Sequence, residues 1–377
     1  MTTLSFAQVA ALIKAVGPTR TVIVEGEYGQ GKTSIHHALC ADPAFADYHR
    51  PKPIDCMQLS DGSIVMPDLN RANGTSRELP NERFGLNDGN HAGIEGSRPA
   101  LICLDEIAKT RQFIKDTLAP LILERRLGNC VFPKGTIVFG CTNLSEEGLG
   151  DHMEGHLRNR IVIVKMRKPT KDEWVNNFAI PNGIHESITA AVEMYPMVFD
   201  SFTDYLPGGK FDGKPLAEHN PYISNPRDAA QGQVVTPRSL HAASDIVAQR
   251  GAFDDVTLTA ALEGTVGNAF AANIMSMLRF GDGLPSFERV VSDPQNAPLP
   301  TNPTAQIVQV RQFLRLVDNK EEAEAVSQYV LRMKAEMASL YVNVVANAPT
   351  DRVMRTFCNS TTFNNMLLEN RKFLGDV

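Results

Sequence analysis

Eight consecutive residues, Gly26-Glu27-Tyr28-Gly29-Gln30-Gly31-Lys32-Thr33, carry the first chemistry visible in this chain. They fit GxxxxGK[ST], with an apolar run before and a helical pattern, beginning at Ser34, after. Glycines at this spacing let successive backbone N–H groups turn inward around an anion, and the following helix adds the positive end of its dipole. Lys32 would reach the β- and γ-phosphates of a nucleotide, and the Thr33 hydroxyl would ligate Mg²⁺. A plain strand-to-helix corner has no use for lysine and threonine at those positions.

Two carboxylates close a second apolar run, ALICLDE at 100–106. Asp105, at the C-terminal edge of a buried strand, is placed to hold Mg²⁺ directly or through water. Glu106 is placed to polarise an attacking water as general base. Strand ends often turn polar, so this pair takes its meaning from the glycine-rich turn. Asn143 closes a third run, TIVFGCTN at 136–143, where its amide could orient water between Glu106 and a γ-phosphate. An asparagine in an ordinary strand-exit turn is the plain alternative. Arg158 and Arg160, in HLRNRIVIV, could stabilise charge on a transferring phosphoryl group. If they reach a neighbour's nucleotide, the protein must be an oligomer. Arg238 follows Pro237 in VVTPRSL, at a helix start where a cation is disfavoured, so a nucleotide phosphate is a candidate partner. His152 and His156 stand one helical turn apart, but Gly155 weakens a helix there and a metal pair is disfavoured. His36 and His37 read as structural.

Four apolar runs must position these groups: TVIVEG (21–26), ALICLDE, TIVFGCTN and RIVIVKM (160–166). Near-continuous apolarity is the pattern of strands buried on both faces of a parallel sheet. The helical pattern TRQFIKDTLAPLILERRLG (110–128) lies between two of them, so the expected class is α/β with both sheet faces covered. Residues 5–14 read as a short amphipathic helix, and residues 60–98 as a long loop-like insert with little periodicity. After Arg167 the strand signals fade. A capping box at Thr170–Glu173 opens a helix carrying Trp174, a helix runs from Pro237 towards Gly251, and another covers about 254–280. Residues 283–306 read as a linker. A second box at Asn319–Glu322 starts a helix whose Val326, Val330, Met333, Met337, Leu340 and Val344 share one apolar face. The expected organisation is a nucleotide-binding core at 1–167 with an insert at about 60–98, a helical lid at 168–282, and a linker plus helical extension at 283–377.

Bulk properties narrow the choice of partners. The 377 residues are 43% hydrophobic and 21% charged, ordinary values for a globular chain of two or three domains. A net charge of −6 disfavours general affinity for nucleic acid or anionic membrane. No apolar run approaches the roughly 18 residues that cross a bilayer, and no signal-peptide pattern opens the chain, so a cytoplasmic protein is expected. Six cysteines without a CxxC pair read as buried free thiols.

Taken in order, GEYGQGKT, ALICLDE, IVFGCTN, LRNR and TPRS resemble the Walker A, Walker B, sensor 1, arginine-finger and sensor 2 elements of an AAA+ ATPase. LAPLILERRLG (118–128), LRNRIVIV, the pattern from Pro169 to Trp174, NGIH (182–185) and TPRS resemble the MoxR-like branch, which usually accompanies a von Willebrand factor A-type or metallopeptidase-like protein. The resemblance covers residues 20–250 most closely. It implies a P-loop core with a helical lid, ATP and Mg²⁺ as cofactors, and a homo-oligomeric ring, expected to be a hexamer, that remodels a partner protein. It gives Asn143 the γ-phosphate, Arg238 a nucleotide contact from the lid, and Arg160, with Arg158 second, the finger role. It also places the 60–98 insert where relatives face the ring pore. Tyr28 and GCTN depart from the usual proline and ATGN, without removing a catalytic group. A nucleic-acid motor and a nucleotide-gated scaffold are the alternatives. The first would need a basic pore, and the intact Asp105–Glu106 pair argues against the second.

Overall fold

A computed structural model describes residues 2–84, 98–144, 159–228, 230–346 and 351–374. It divides into two compact units, Met1–Lys168 with Pro226–Ala229, and Pro169–Asn225 with Ala230–Val377.

The first unit runs β1 (Thr3–Leu4), α1 (Phe6–Val16), β2 (Val22–Gly26), α2 (Ser34–Ala41), β3 (Ile54–Asp55), β4 (Val65–Asn70) and β5 (Thr75–Pro80). It continues with β6 (Leu101–Asp105), α3 (Gln112–Glu124), β7 (Arg126–Leu127), β8 (Cys130–Val131), β9 (Ile137–Asn143) and β10 (Val162–Met166). Six strands form a parallel sheet in the order β1-β10-β2-β9-β6-β3. Alternate residues of each strand serve opposite faces. Ile23, Ile102, Leu104 and Val138 pack against Ile114, Leu118 and Leu121 of α3. Val22, Val24, Leu101, Cys103 and Phe139 pack with Val9 and Ile13 of α1 and Ile35 and Leu39 of α2. Both faces are therefore apolar, which is why the strand runs show no polar alternation. The fold is α/β, a P-loop core of sheet between helical layers.

Two expectations about this unit need correction. The helical pattern at 110–128 ends at Glu124, and its last residues form the β7–β8 hairpin instead. Arg125 caps the helix with φ +56° and turns its guanidinium inward. There it donates to Thr21 Oγ1 at 2.7 Å, Ile122 O at 2.7 Å, Thr136 O at 3.0 Å and Gly17 O at 2.9 Å. The described part of the insert is not structureless: β4 and β5 form an antiparallel hairpin with Val65 opposite Pro80 and Asn70 opposite Thr75. Most of its residues are exposed on either face, so no apolar–polar alternation marks it in the sequence.

The second unit is helical: α4 (Lys171–Trp174), α5 (Glu186–Met194), α6 (Leu216–His219), α7 (Pro237–Ala248), α8 (Asp255–Val266), α9 (Asn268–Asp282), α10 (Phe287–Ser292), α11 (Pro303–Leu316), α12 (Lys320–Leu331), α13 (Ala335–Ala346), α14 (Asp351–Cys358) and α15 (Thr361–Leu374). Both arms of the Thr170–Glu173 capping box are formed. At the second box Glu322 N donates to Asn319 Oδ1 at 2.9 Å, but the Glu322 carboxylate returns to the amide of Asp318.

The predicted helix over 254–280 is two helices, broken at Gly267, whose φ of +79° suits glycine and where a Cβ would meet Gln233 O at 2.2 Å. The stretch from Asn319 to Val344 is likewise divided, into α12 and α13. Arg332 caps α12 with its backbone N–H on the Tyr329 and Val330 carbonyls, and its guanidinium donates to Pro294 O at 2.6 Å and Ala297 O at 3.0 Å. The predicted apolar face survives the break, since Val326, Val330, Met333 and Val344 share one core with Phe313, Tyr329 and Tyr341. The expected linker contains α10 and the first turn of α11. Of the thiols, Cys56, Cys103 and Cys141 are buried, whereas Cys358 is exposed, contrary to the expectation that all six are interior.

Candidate functional site

The GEYGQGKT turn joins the C-terminal end of β2 to α2. Gly29 and Gly31 have φ of +70° and +94°, and at Gly31 any side chain would be strained. Lys32 is buried, and its Nζ donates to Gly26 O at 2.9 Å, Glu27 O at 2.8 Å and Asn143 Oδ1 at 2.8 Å. Thr33 Oγ1 donates to Asp105 Oδ2 at 2.9 Å. Strand order makes this convergence possible. β9 lies between β2 and β6, with Asn143 paired to Gly26 and Cys141 paired to Asp105. Three strand ends thus deliver an ammonium, a hydroxyl, a carboxylate and an amide to one place.

Glu106 follows directly. It holds φ +53°, in the left-handed region that non-glycine residues rarely enter, and its N–H donates to Asp105 Oδ1 at 3.2 Å. Its Oε2 lies 3.0 Å from Lys109 Nζ, an ion pair without hydrogen-bond alignment. An observed backbone outlier beside converging polar groups is the pattern of a functional site.

The turn is also fastened from β10. Glu27 Oε2 lies 2.8 Å from Lys168 Nζ, with side chains 6% and 4% exposed, and Gln30 Nε2 donates to Met166 O at 3.1 Å. Neither Lys168 nor Lys109 was singled out from the sequence. A signal for Lys168 existed, because a buried carboxylate at Glu27 in a glycine-rich turn of this pattern needs a cation beside it. Lys109 stands three residues after Glu106, but its pairing depends on the tertiary turn. Tyr28 is half-buried and Ser34 exposed at the start of α2. His36 packs against the Phe139 ring at 6.4 Å, and burial, with His37 adding to it, lowers its pKa and favours the neutral ring.

Arg160 is exposed in the turn before β10. Arg238 is exposed on α7, in the second unit. Arg158, His152 and His156 lie outside the described residues. Arg160 is not among the groups gathered at the turn.

The gathered set fits a magnesium nucleotide. The Thr33 hydroxyl and Asp105 carboxylate are adjacent hard oxygen donors of the kind Mg²⁺ takes, and the Lys32 ammonium sits against the backbone of an amide-lined turn.

No protein-family model and no curated protein matches this chain. Among solved structures it is similar to Thermotoga maritima RuvB carrying a lysine-to-arginine substitution, at 15% identity and a TM-score of 0.35 over 79% of each chain. A RuvB of the same organism with a proline-to-glycine substitution gives 16% identity and a TM-score of 0.36 over 80% of this chain and 79% of that one. A provisionally assigned ATPase from Cytophaga hutchinsonii gives 12% and 0.31 over 96% of this chain and 79% of that one. Superpositions this loose carry no weight for the function, which rests on the side chains themselves.

Proposed function

We propose that this chain is a magnesium-dependent ATPase of the AAA+ class. The observation that carries the reading is the convergence of Lys32 with Asn143 and of Thr33 with Asp105 at the ends of β2, β9 and β6. In this reading the amides of residues 27–33 and the Lys32 ammonium bind the phosphates. Thr33 and Asp105 hold Mg²⁺, which when bound neutralises phosphate charge. Glu106 accepts the proton of the attacking water, and Asn143 orients that water against the γ-phosphate.

The sequence resemblance extends the proposal to a MoxR-like ring, a hexamer, in which Arg160, or Arg158, reaches the neighbour's nucleotide and Arg238 contacts it from a helical lid. Turnover then remodels a partner protein, one with a von Willebrand factor A-type domain being the first candidate. A nucleic-acid track is disfavoured by the acidic chain and by a hairpin whose charges include the Asp68–Arg77 pair. No helix among the described residues is long and apolar enough to cross a membrane.

The deciding experiment is steady-state hydrolysis of Glu106→Gln beside equilibrium ATP binding. Turnover should fall by about 10²–10⁴-fold with binding retained. Unchanged turnover would overturn the reading. In mixed assemblies Arg160→Ala should suppress wild-type subunits more than in proportion to its share.

A further inference from the structure

The NGIH stretch at 182–185 ends on a histidine that the nucleotide site does not use. His185 stands at the N-cap of α5, and its Nδ1 accepts from the backbone N–H of Ser187 at 3.2 Å. Ser187 Oγ lies 2.9 Å from the same nitrogen. The backbone N–H of His185 donates to Ser244 Oγ at 2.9 Å, which ties the start of α5 to α7. The helix behind this cap is buried along most of its length, from Glu186 to Val192. Its Ile188 shares a core with Ile184 and with Trp174, the single tryptophan of the chain.

Serine, threonine, aspartate and asparagine are the usual caps, and all of them keep an acceptor oxygen at neutral pH. A histidine caps only while Nδ1 carries its lone pair. Once both ring nitrogens are protonated, Nδ1–H meets the Ser187 N–H donor to donor. The cap is then lost, an amide at a buried helix start has no acceptor, and a cation stands at the positive end of the helix dipole.

Four charged groups face the ring. Glu186 on α5 lies 3.7 Å away and, with Asp282 at the end of α9, favours the cation. Arg315 on α11 and Arg250 after α7 oppose it. Both carboxylates are already engaged: Arg315 reaches Glu186 at 3.0 Å through Nε and 3.2 Å through Nη2, and Arg250 Nη2 reaches Asp282 at 2.6 Å. Burial outweighs all four and lowers the pKa of His185.

We propose that His185 is an acid-sensitive latch of the helical unit, its neutral ring closing the start of α5 beside α7 and its protonation opening that joint. The unfolded chain takes up this proton as pH falls through about 6.5, whereas the folded chain takes it up only at lower pH, so stability is lost on acidification. The latch does not depend on ATP hydrolysis.

Nitrogen-15 NMR of the histidine rings in the full chain tests the first half. His185 should hold its proton on Nε2, with Nδ1 as acceptor, and titrate below 6.5. The second half is tested with His185→Asn, which offers a cap acceptor at every pH. In urea unfolding followed by Trp174 fluorescence, the folding equilibrium constant of the wild type should fall severalfold more than that of the variant between about pH 7.5 and about pH 5.5, with about tenfold as the ceiling. Over the same interval the Ser187 amide should lose hydrogen-exchange protection, corrected for intrinsic rate, in the wild type and keep it in His185→Asn. A proton on Nδ1 at neutral pH, titration of His185 at or above 6.5, equal pH dependence of the two proteins, or unchanged Ser187 protection in the wild type would each overturn the proposal. The NMR arm needs no variant, so a His185→Asn chain that fails to fold leaves the proposal open to refutation.

Discussion

The carboxylate of Glu27, second residue of the glycine-rich turn, is held 2.8 Å from the ammonium of Lys168, two residues past the end of β10. Both side chains are almost fully buried, so neither charge is relieved by water. Breaking one partner of such a pair costs about 3–5 kcal/mol, whereas replacing both by apolar groups is often neutral. Lys168→Met should therefore lower chemical-denaturation stability by several kcal/mol and weaken ATP binding. The Glu27→Met, Lys168→Met double variant should recover most of the stability. Independent, additive losses in the double-mutant cycle would show that the two side chains are not coupled.

Lys32 and Asn143 should separate binding from hydrolysis. Lys32→Ala removes the ammonium that spans the turn and the β9 end, and ATP affinity should drop by about 100-fold, as for loss of a charged contact worth about 3 kcal/mol. Asn143→Ala should leave affinity within a few-fold while slowing turnover by about 10–100-fold, the scale of a lost positioning contact. Titration calorimetry paired with a phosphate-release assay distinguishes the two.

Arg125 ties three segments together, and its loss should be felt across the first unit. Burial lowers its pKa to about 10, which still leaves it charged at neutral pH. Arg125→Ala strips the fork from Thr21 Oγ1 and from the carbonyls of Gly17, Ile122 and Thr136. A loss of about 3 kcal/mol is expected, because hydrogen bonds to a charged group contribute about 1.5–3 kcal/mol each and are not additive. Arg125→Lys should recover less than half, since one ammonium cannot reproduce the fork.

Glu324 gives the second unit an acid-sensitive joint. Its carboxylate accepts from Ser360 Oγ at 2.7 Å, Thr362 N at 3.1 Å, Thr362 Oγ1 at 2.5 Å and Gln328 Nε2 at 3.1 Å, tying α12 to the start of α15. Burial works to raise its pKa, but these donors prevail and lower it to about 2. A folded-state pKa below the unfolded one stabilises above the unfolded value, and that contribution fades as pH falls from about 4.5 towards 2. Glu324→Gln should cost about 1–2 kcal/mol at pH 7, discounted for partial exposure, with the gap from wild type closing by about pH 2 in urea titrations.

The residues that do the proposed chemistry were legible because their types and spacing have few other uses. A lysine and threonine after a glycine turn, and an acidic pair at the end of an apolar strand, announce themselves in one dimension. The strands were legible for a related reason: burial on both faces removes the polar alternation that would blur them. The β4–β5 hairpin was not, because backbone pairing holds it while its side chains face outward and leave no pattern. The helix breaks at Gly267 and Arg332 were missed because local periodicity continues across them.

Composition and motif by themselves thus determined the class of fold and the inventory of charged groups. Only the tertiary structure decided the partners. Asn143 meets Lys32 because β9 is interposed between β2 and β6, and Lys168 meets Glu27 because β10 lies on the other side of β2. Strand order is set by the packing of both sheet faces, a sum over many apolar contacts far apart in sequence. No short stretch of residues contains it.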